Sequence, residues 1–346
     1  MTARRTVPLL AFVALHFFCA FPAWSGLAQA SPRSDAPPPL RDLPKDRPYE
    51  LRVLYLEDQR LPTLKPGQRS ELYSKIERLL DGWYGYHVKL REVGCRNLID
   101  YFSAHEMLFA QQAISIRLID FEITDSLGPE ILRAAIARDF SSRELSQIGR
   151  YLHNGTLTSK AEAVETAHRQ FMTKLTELRG IPLADGKPFF DATQGRLNSF
   201  AHWAVLLEEI SEADLVFTNS VILCADVEMP IYVIARGGIT GGLTDNNARS
   251  PYQAATMVGL FPILSNAPVF LRERGRIPED ELLDVIATFC MHEMGHFFLR
   301  YAEHYDHPHC VHCAPAGLNL YEWHKSIREQ GPCALEHRKI RRMGDP

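Results

Sequence analysis

Residues 278–301 read PEDELLDVIATFCMHEMGHFFLRY, and the rest of the chain is most easily understood outward from this stretch. Pro278 followed by Glu279, Asp280 and Glu281 marks a helix start, because a proline in the first turn has no needed N–H and carboxylates suit the positive helix end. Leu282, Leu283, Ile286, Phe289, Cys290, Phe297 and Phe298 then supply a broad apolar face through about Tyr301. Set into that helix is His292-Glu293-Met294-Gly295-His296. Two histidines four residues apart leave one face a turn from each other, so their ring nitrogens can share a tetrahedral zinc.

Glu293 directly follows the first histidine, where its carboxylate can take a proton from a water activated by the metal. That is the arrangement hydrolysis of a peptide bond requires. Zinc of this kind also needs a third protein ligand and an open fourth position. The segment from Tyr301 to Cys313 offers His304, His307, His309 and His312. On a straight helix His304 would lie about 12 Å beyond His296, too far to share its metal. The chain must therefore bend, and Pro308, which disfavours helix at His307, puts the bend between Arg300 and His307.

His292-Glu293-x-x-His296, a histidine shortly after it, Cys310-Val311 and a late Cys333 together resemble the archaemetzincins, zinc peptidases of the metzincin clan. Their pattern is HExxHxxGxxH, an adjacent cysteine, four residues, Cys-x-Met and a further Cys-x-x-Cys. The resemblance covers about Met291 to His337. It implies that His292, His296 and His304 hold a catalytic Zn2+ with Glu293 as general base, with His307 as reserve ligand. It also places Tyr305 at the adjacent cysteine and His312 at the methionine beneath the metal. Leu299 stands where the family has its turning glycine, and two extra residues separate His296 from His304. The family's second, structural zinc would correspond here to Cys310, Cys313, Cys333 and His337. Cys310-x2-Cys313, nineteen residues and Cys333-x3-His337 keep a zinc-ribbon-like spacing. A disulfide is the competing use of these thiols.

Upstream, Leu51 to Leu56 alternates as a strand, Ser70 to Trp83 has helical apolar spacing and Tyr86 to Val93 reads as a second strand. Such a β-α-β opening implies a right-handed crossover onto a sheet. Residues 127–210 read as a helical insertion. Strands return at Leu215 to Leu223 and Ile231 to Ala235, then Gly237 to Gly242 reads as a glycine turn joining strands or flanking a cleft. Met257 to Leu264 reads as a last strand, at a sheet edge because of Pro262. The expected fold is α/β (α+β): a metzincin-like twisted mixed sheet, a long active-site helix, a helical insertion and a Cys/His-rich C-terminal tail.

At the N-terminus Arg4 and Arg5 precede an apolar run from Val7 to Ala23, and Ala28-Gln29-Ala30 is a small-x-small cleavage site. Residues 1–30 therefore read as a signal peptide, 31–48, with six prolines, as a linker, and 49–346 as one metallopeptidase-like domain. The expected protein is exported, periplasmic or secreted, with no stable membrane span after cleavage, since no later segment offers ~18 uninterrupted apolar residues. Removing the leader takes Lys+Arg from 38 to 36 against 42 Asp+Glu, and the formal charge from −4 to −6. An acidic balance of this kind leaves no footprint for nucleic acid. The expected partner is a peptide or protein substrate. The alternative expectation is a zinc-stabilised binding or scaffold protein of the same fold with weak or no catalysis, motivated by Leu299 and the missing methionine.

Overall fold

The computed structural model describes residues 40–107, 180–187, 212–226, 233–236, 238–241, 254–302, 309–313, 320–328 and 330–333, with scattered positions between 159 and 178, at 203, 206 and 207, and at 251, 252, 307 and 315. The expected signal peptide, most of the helical insertion, His304 and His337 lie outside the described residues.

Strand β1 (Tyr49–Glu57) leads into α1 (Pro66–Leu79), a π-helical turn (Leu80–Tyr84), β2 (Val88–Asn97) and α2 (Leu98–Ser103). After the insertion come β3 (Leu215–Thr218), β4 (Ile222–Asp226), β5 (Val233–Arg236), β6 (Gly238–Gly241) and β7 (Ala255–Gly259). Helices α3 (Phe261–Leu264), α4 (Pro268–Arg274), α5 (Leu282–Leu299) and α6 (Leu320–Ile327) follow. The main sheet has the order β2-β1-β3-β7-β6, while β4 and β5 form a separate antiparallel pair. Its first four strands run parallel and β6 returns antiparallel to β7. The chain is thus a mixed α/β fold, and its opening is the β-α-β unit expected from the sequence.

Alternation along the strands separates two apolar layers. Leu51, Val53, Tyr55, Leu215, Phe217 and Val258 face α1 and α5, meeting Leu72, Ile76, Ile286, Phe289, Cys290 and Phe297. Leu54, Leu56, Val216 and Met257 face the other way, against Leu98, Phe102, Trp203 and Leu206. Both faces are covered, which is what a predominantly parallel sheet requires. Helix α5 is long and apolar enough to cross a membrane, but 89% of it is buried inside the protein. It is a core helix, enclosed on every side from Val285 to Leu299.

Three sequence expectations change. Met257 to Leu264 is not one edge strand: β7 lies between β3 and β6, and Pro262 sits in the first turn of α3, where a missing N–H costs nothing. Pro278 to Glu281 precedes α5 as a turn, with Glu281 at its N-cap. The linker ends by residue 40, because Leu40 is buried and Leu43 N–H donates to the Phe298 carbonyl at 3.0 Å. That strap ties the segment before β1 to the end of α5.

Helix α6 lays His324 against α5, its Nδ1 2.9 Å from Thr288 Oγ1. Burial, assisted by Arg328, pulls the His324 pKa below its ordinary 6.5, while Asp284 and Glu281 oppose the shift. The unfolded chain therefore takes up the proton first on acidification. This contribution to stability is complete above pH 6.5 and is lost as pH falls toward the depressed folded pKa. His324→Gln can keep a bond to Thr288 without titrating. Between about pH 7.5 and 5.5, the urea midpoint should fall less in this variant than in the wild type. Equal falls would show that the ring does not carry the effect.

Candidate metal centre

The α5 histidines are fixed by their far nitrogens. His292 Nδ1 lies 2.7 Å from the Val311 carbonyl, and His296 Nδ1 lies 2.5 Å from the Tyr301 carbonyl. A carbonyl only accepts, so both Nδ1 atoms carry a proton, and in the neutral form each ring presents its Nε2 lone pair. Those two Nε2 atoms face each other at 3.3 Å with the rings edge to face. Two such lone pairs repel unless they share a proton or a metal ion. Bonds of ~2.0–2.1 Å on a tetrahedral zinc put two nitrogens about 3.3–3.4 Å apart. The residues present therefore fit a metal. Donation of the second ring N–H to a backbone carbonyl is the outer-shell contact that holds metal-ligating histidines in one tautomer.

The local fold explains these acceptors. Helix α5 stops at Leu299, and Arg300 takes a left-handed backbone with φ 54°. The turn expected of a glycine thus comes one residue later, on an arginine whose side chain is anchored by Nη2 donating to the Tyr252 carbonyl at 2.5 Å. This reversal brings the Tyr301 carbonyl back over His296. Burial draws the Arg300 pKa down to about 10.

Glu293 is 5% exposed and lies against β6. Thr240 Oγ1 is 2.8 Å from Glu293 Oε2 and 3.0 Å from Thr256 Oγ1, so the Thr240 hydroxyl can donate to the carboxylate while accepting from Thr256. Gly238 lies so close that a β-carbon there would fall on the carboxylate. The glycine segment expected as a turn joining strands or flanking a cleft runs as a strand from Gly238 to Gly241, and the missing side chain of Gly238 makes room for Glu293. β6 is also the last strand of the sheet among the described residues.

The tail forms a second group. One ligand atom each from His307, Cys310 and Cys333 lies within 4.8 Å of the others, a set that could bind a metal ion. His307 Nδ1 is buried without a hydrogen-bond partner. Two backbone N–H groups point at Cys310 Sγ, from His312 at 3.4 Å and from Cys333 at 3.3 Å. Burial nevertheless pushes the Cys310 thiol up to about 12. A soft thiolate-and-imidazole set suits zinc, which must displace the thiol protons as it binds. Cys310 and Cys333 are thus brought together, with His307 beside them as a further donor. Two successive turns, Cys310 N–H to the His307 carbonyl at 3.1 Å and Cys313 N–H to the Cys310 carbonyl at 2.9 Å, fold His307 back toward Cys310. Cys313 is buried beside α6, its carbonyl accepting from Trp323 Nε1 at 2.8 Å.

His312, expected where the related pattern has methionine, is fully buried. It stacks on Tyr84 at 5.6 Å, meets Tyr301 edge to face at 5.2 Å and rests on Gly295. Burial holds Tyr84 protonated, and its hydroxyl donates to the Met291 carbonyl at 2.8 Å. An imidazole thus packs on α5 at Gly295, between Tyr84 and Tyr301.

No protein-family model, curated protein or solved structure matches the chain. The functional reading therefore rests on its own residues. Sequence reasoning missed Thr240, Gly238 and Tyr84, and it named His307 as a reserve ligand for the helix pair and not as a neighbour of Cys310 and Cys333.

Proposed function

We propose that the chain is an exported, zinc-dependent metallopeptidase of archaemetzincin-like design, with His292 and His296 as ligands, His304 as the third and Glu293 as general base. The observation that carries this reading is the facing Nε2 pair at 3.3 Å, each ring locked from behind by a carbonyl. Zinc bound there would supply a Lewis acid that polarises the peptide carbonyl and acidifies the attacking water. The protein residues do the rest. Thr240 holds Glu293 Oε2, so Oε1 takes the water proton and later delivers it to the leaving amine nitrogen. In this reading an extended peptide would pair by main-chain hydrogen bonds with β6, the last strand among the described residues, and carry its scissile carbonyl past Glu293. In this reading His307, Cys310 and Cys333 hold a second, structural zinc that ties down the tail.

One observation favours the alternative, a zinc-stabilised binding protein: an imidazole stands where methionine was expected. Metal content and cleavage separate the two. The purified full chain should hold zinc at both sites and cleave members of a mixed peptide library, with a chelator abolishing cleavage and added zinc restoring it. Bound zinc with no cleavage would select the binding protein, and a chain without tightly held metal would exclude both.

A further inference from the structure

Three consecutive residues touch both metal groups. Cys310 supplies its sulfur to the tail group, the Val311 carbonyl holds His292 Nδ1 at 2.7 Å, and the His312 ring rests on Gly295. Positions 292, 295 and 296 share one face of α5, so Val311 and His312 meet the same surface that presents the ligand pair. On its other side the tripeptide is tied to the tail. Cys333 N–H points at Cys310 Sγ at 3.3 Å, and Val311 N–H points at the Gly331 carbonyl at 3.5 Å.

We infer that the Cys310-Val311-His312 tripeptide couples the two groups, so that a divalent metal on His307, Cys310 and Cys333 raises the metal affinity of the His292–His296 pair. The inference rests on reading that pair as a metal site, and does not require that it cleave peptides. A metal joining His307, Cys310 and Cys333 closes the chain on both sides of Val311 and fixes its carbonyl before His292 is engaged. The helix pair then binds without having to order its own outer contact. With the tail group empty, that ordering cost falls on the helix pair and lowers its affinity. Coupling of this kind is reciprocal: metal on the helix pair must strengthen the tail group by the same factor.

Co2+ distinguishes the groups. The tail group has thiolate donors and gives sulfur-to-cobalt charge-transfer absorption, whereas the helix pair gives ligand-field bands alone. Titration of the metal-free full chain should fill both. Cys333→Ser should abolish charge transfer and weaken Co2+ at the helix pair by about 10-fold or more, the usual scale for losing an outer-shell contact. Cys333→His, which returns a donor, should recover most of that affinity. His296→Ala should weaken the tail group by the same factor. This arm leaves the tail sequence intact, so it decides the question even if the Cys333 variants fail to fold. Unchanged tail affinity in His296→Ala, or unchanged pair affinity in folded Cys333→Ser, would overturn the coupling. A wild-type chain binding a single Co2+, with charge transfer only, would reject the metal reading of the helix pair and the coupling with it.

Discussion

If the chain is the proposed zinc peptidase, replacing Glu293 by glutamine should leave zinc on the chain and lower kcat/KM for peptide cleavage by about 10²–10⁴-fold, the range a positioned general base contributes. On the transition-state scale this is about 2.7–5.5 kcal/mol. The substitution is nearly isosteric. It keeps an oxygen able to accept from the Thr240 hydroxyl, 2.8 Å from the present Oε2, and fits the space left by Gly238. Neither imidazole depends on Glu293 for orientation, since the carbonyls of Val311 and Tyr301 hold them. Loss of turnover with zinc retained would therefore isolate the proton-transfer role. Cleavage within tenfold of wild type would remove Glu293 from that role. Zinc lost together with activity would make it a structural residue.

The parts of the molecule that were legible beforehand are those governed by local pattern. The period of apolar residues in 282–299 and the alternation in 49–57 each report which side of an element meets a core, and both elements formed. The HExxH spacing brought two rings to one face because helix geometry alone does so. What the sequence obscured depends on distant partners. Gly238 to Gly241 carries two glycines and reads as a turn; β7 makes it a strand by pairing Gly238 with Val258 and Gly241 with Ala255. The Cys310-x2-Cys313 spacing gave no hint that successive turns bring His307 to Cys310, because that depends on how the chain folds back after α5. His312, between Val311 and Cys313, carries no local sign that its ring is buried. Its burial requires a helix residue without a side chain, supplied by Gly295 within the motif itself.

Gly295→Ala tests that packing, and two opposing effects set its sign. Alanine is the better helix former by about 0.8–1 kcal/mol, so at an open position the change would stabilise α5. Here the new β-carbon would fall within the His312 ring, far inside the ~3.5–4.0 Å at which carbon atoms rest. The ring has little room to retreat, with Tyr84 stacked against it at 5.6 Å and Tyr301 edge-on at 5.2 Å. Overpacking a closed core costs about 1–3 kcal/mol and occasionally more, which exceeds the propensity gain. The displacement also has a direction. Pushing His312 away from α5 carries Val311 with it and lengthens the 2.7 Å bond that orients His292. Gly295→Ala should therefore lower the melting temperature of the metal-free chain and weaken zinc at the helix pair about 10–100-fold, as loss of an outer-shell acceptor does. Pairing it with His312→Ala, which removes the obstructing ring, should recover part of the stability lost by Gly295→Ala, because the added methyl then has space. A Gly295→Ala chain that is more stable than wild type and binds zinc as tightly would mean that His312 does not pack on α5.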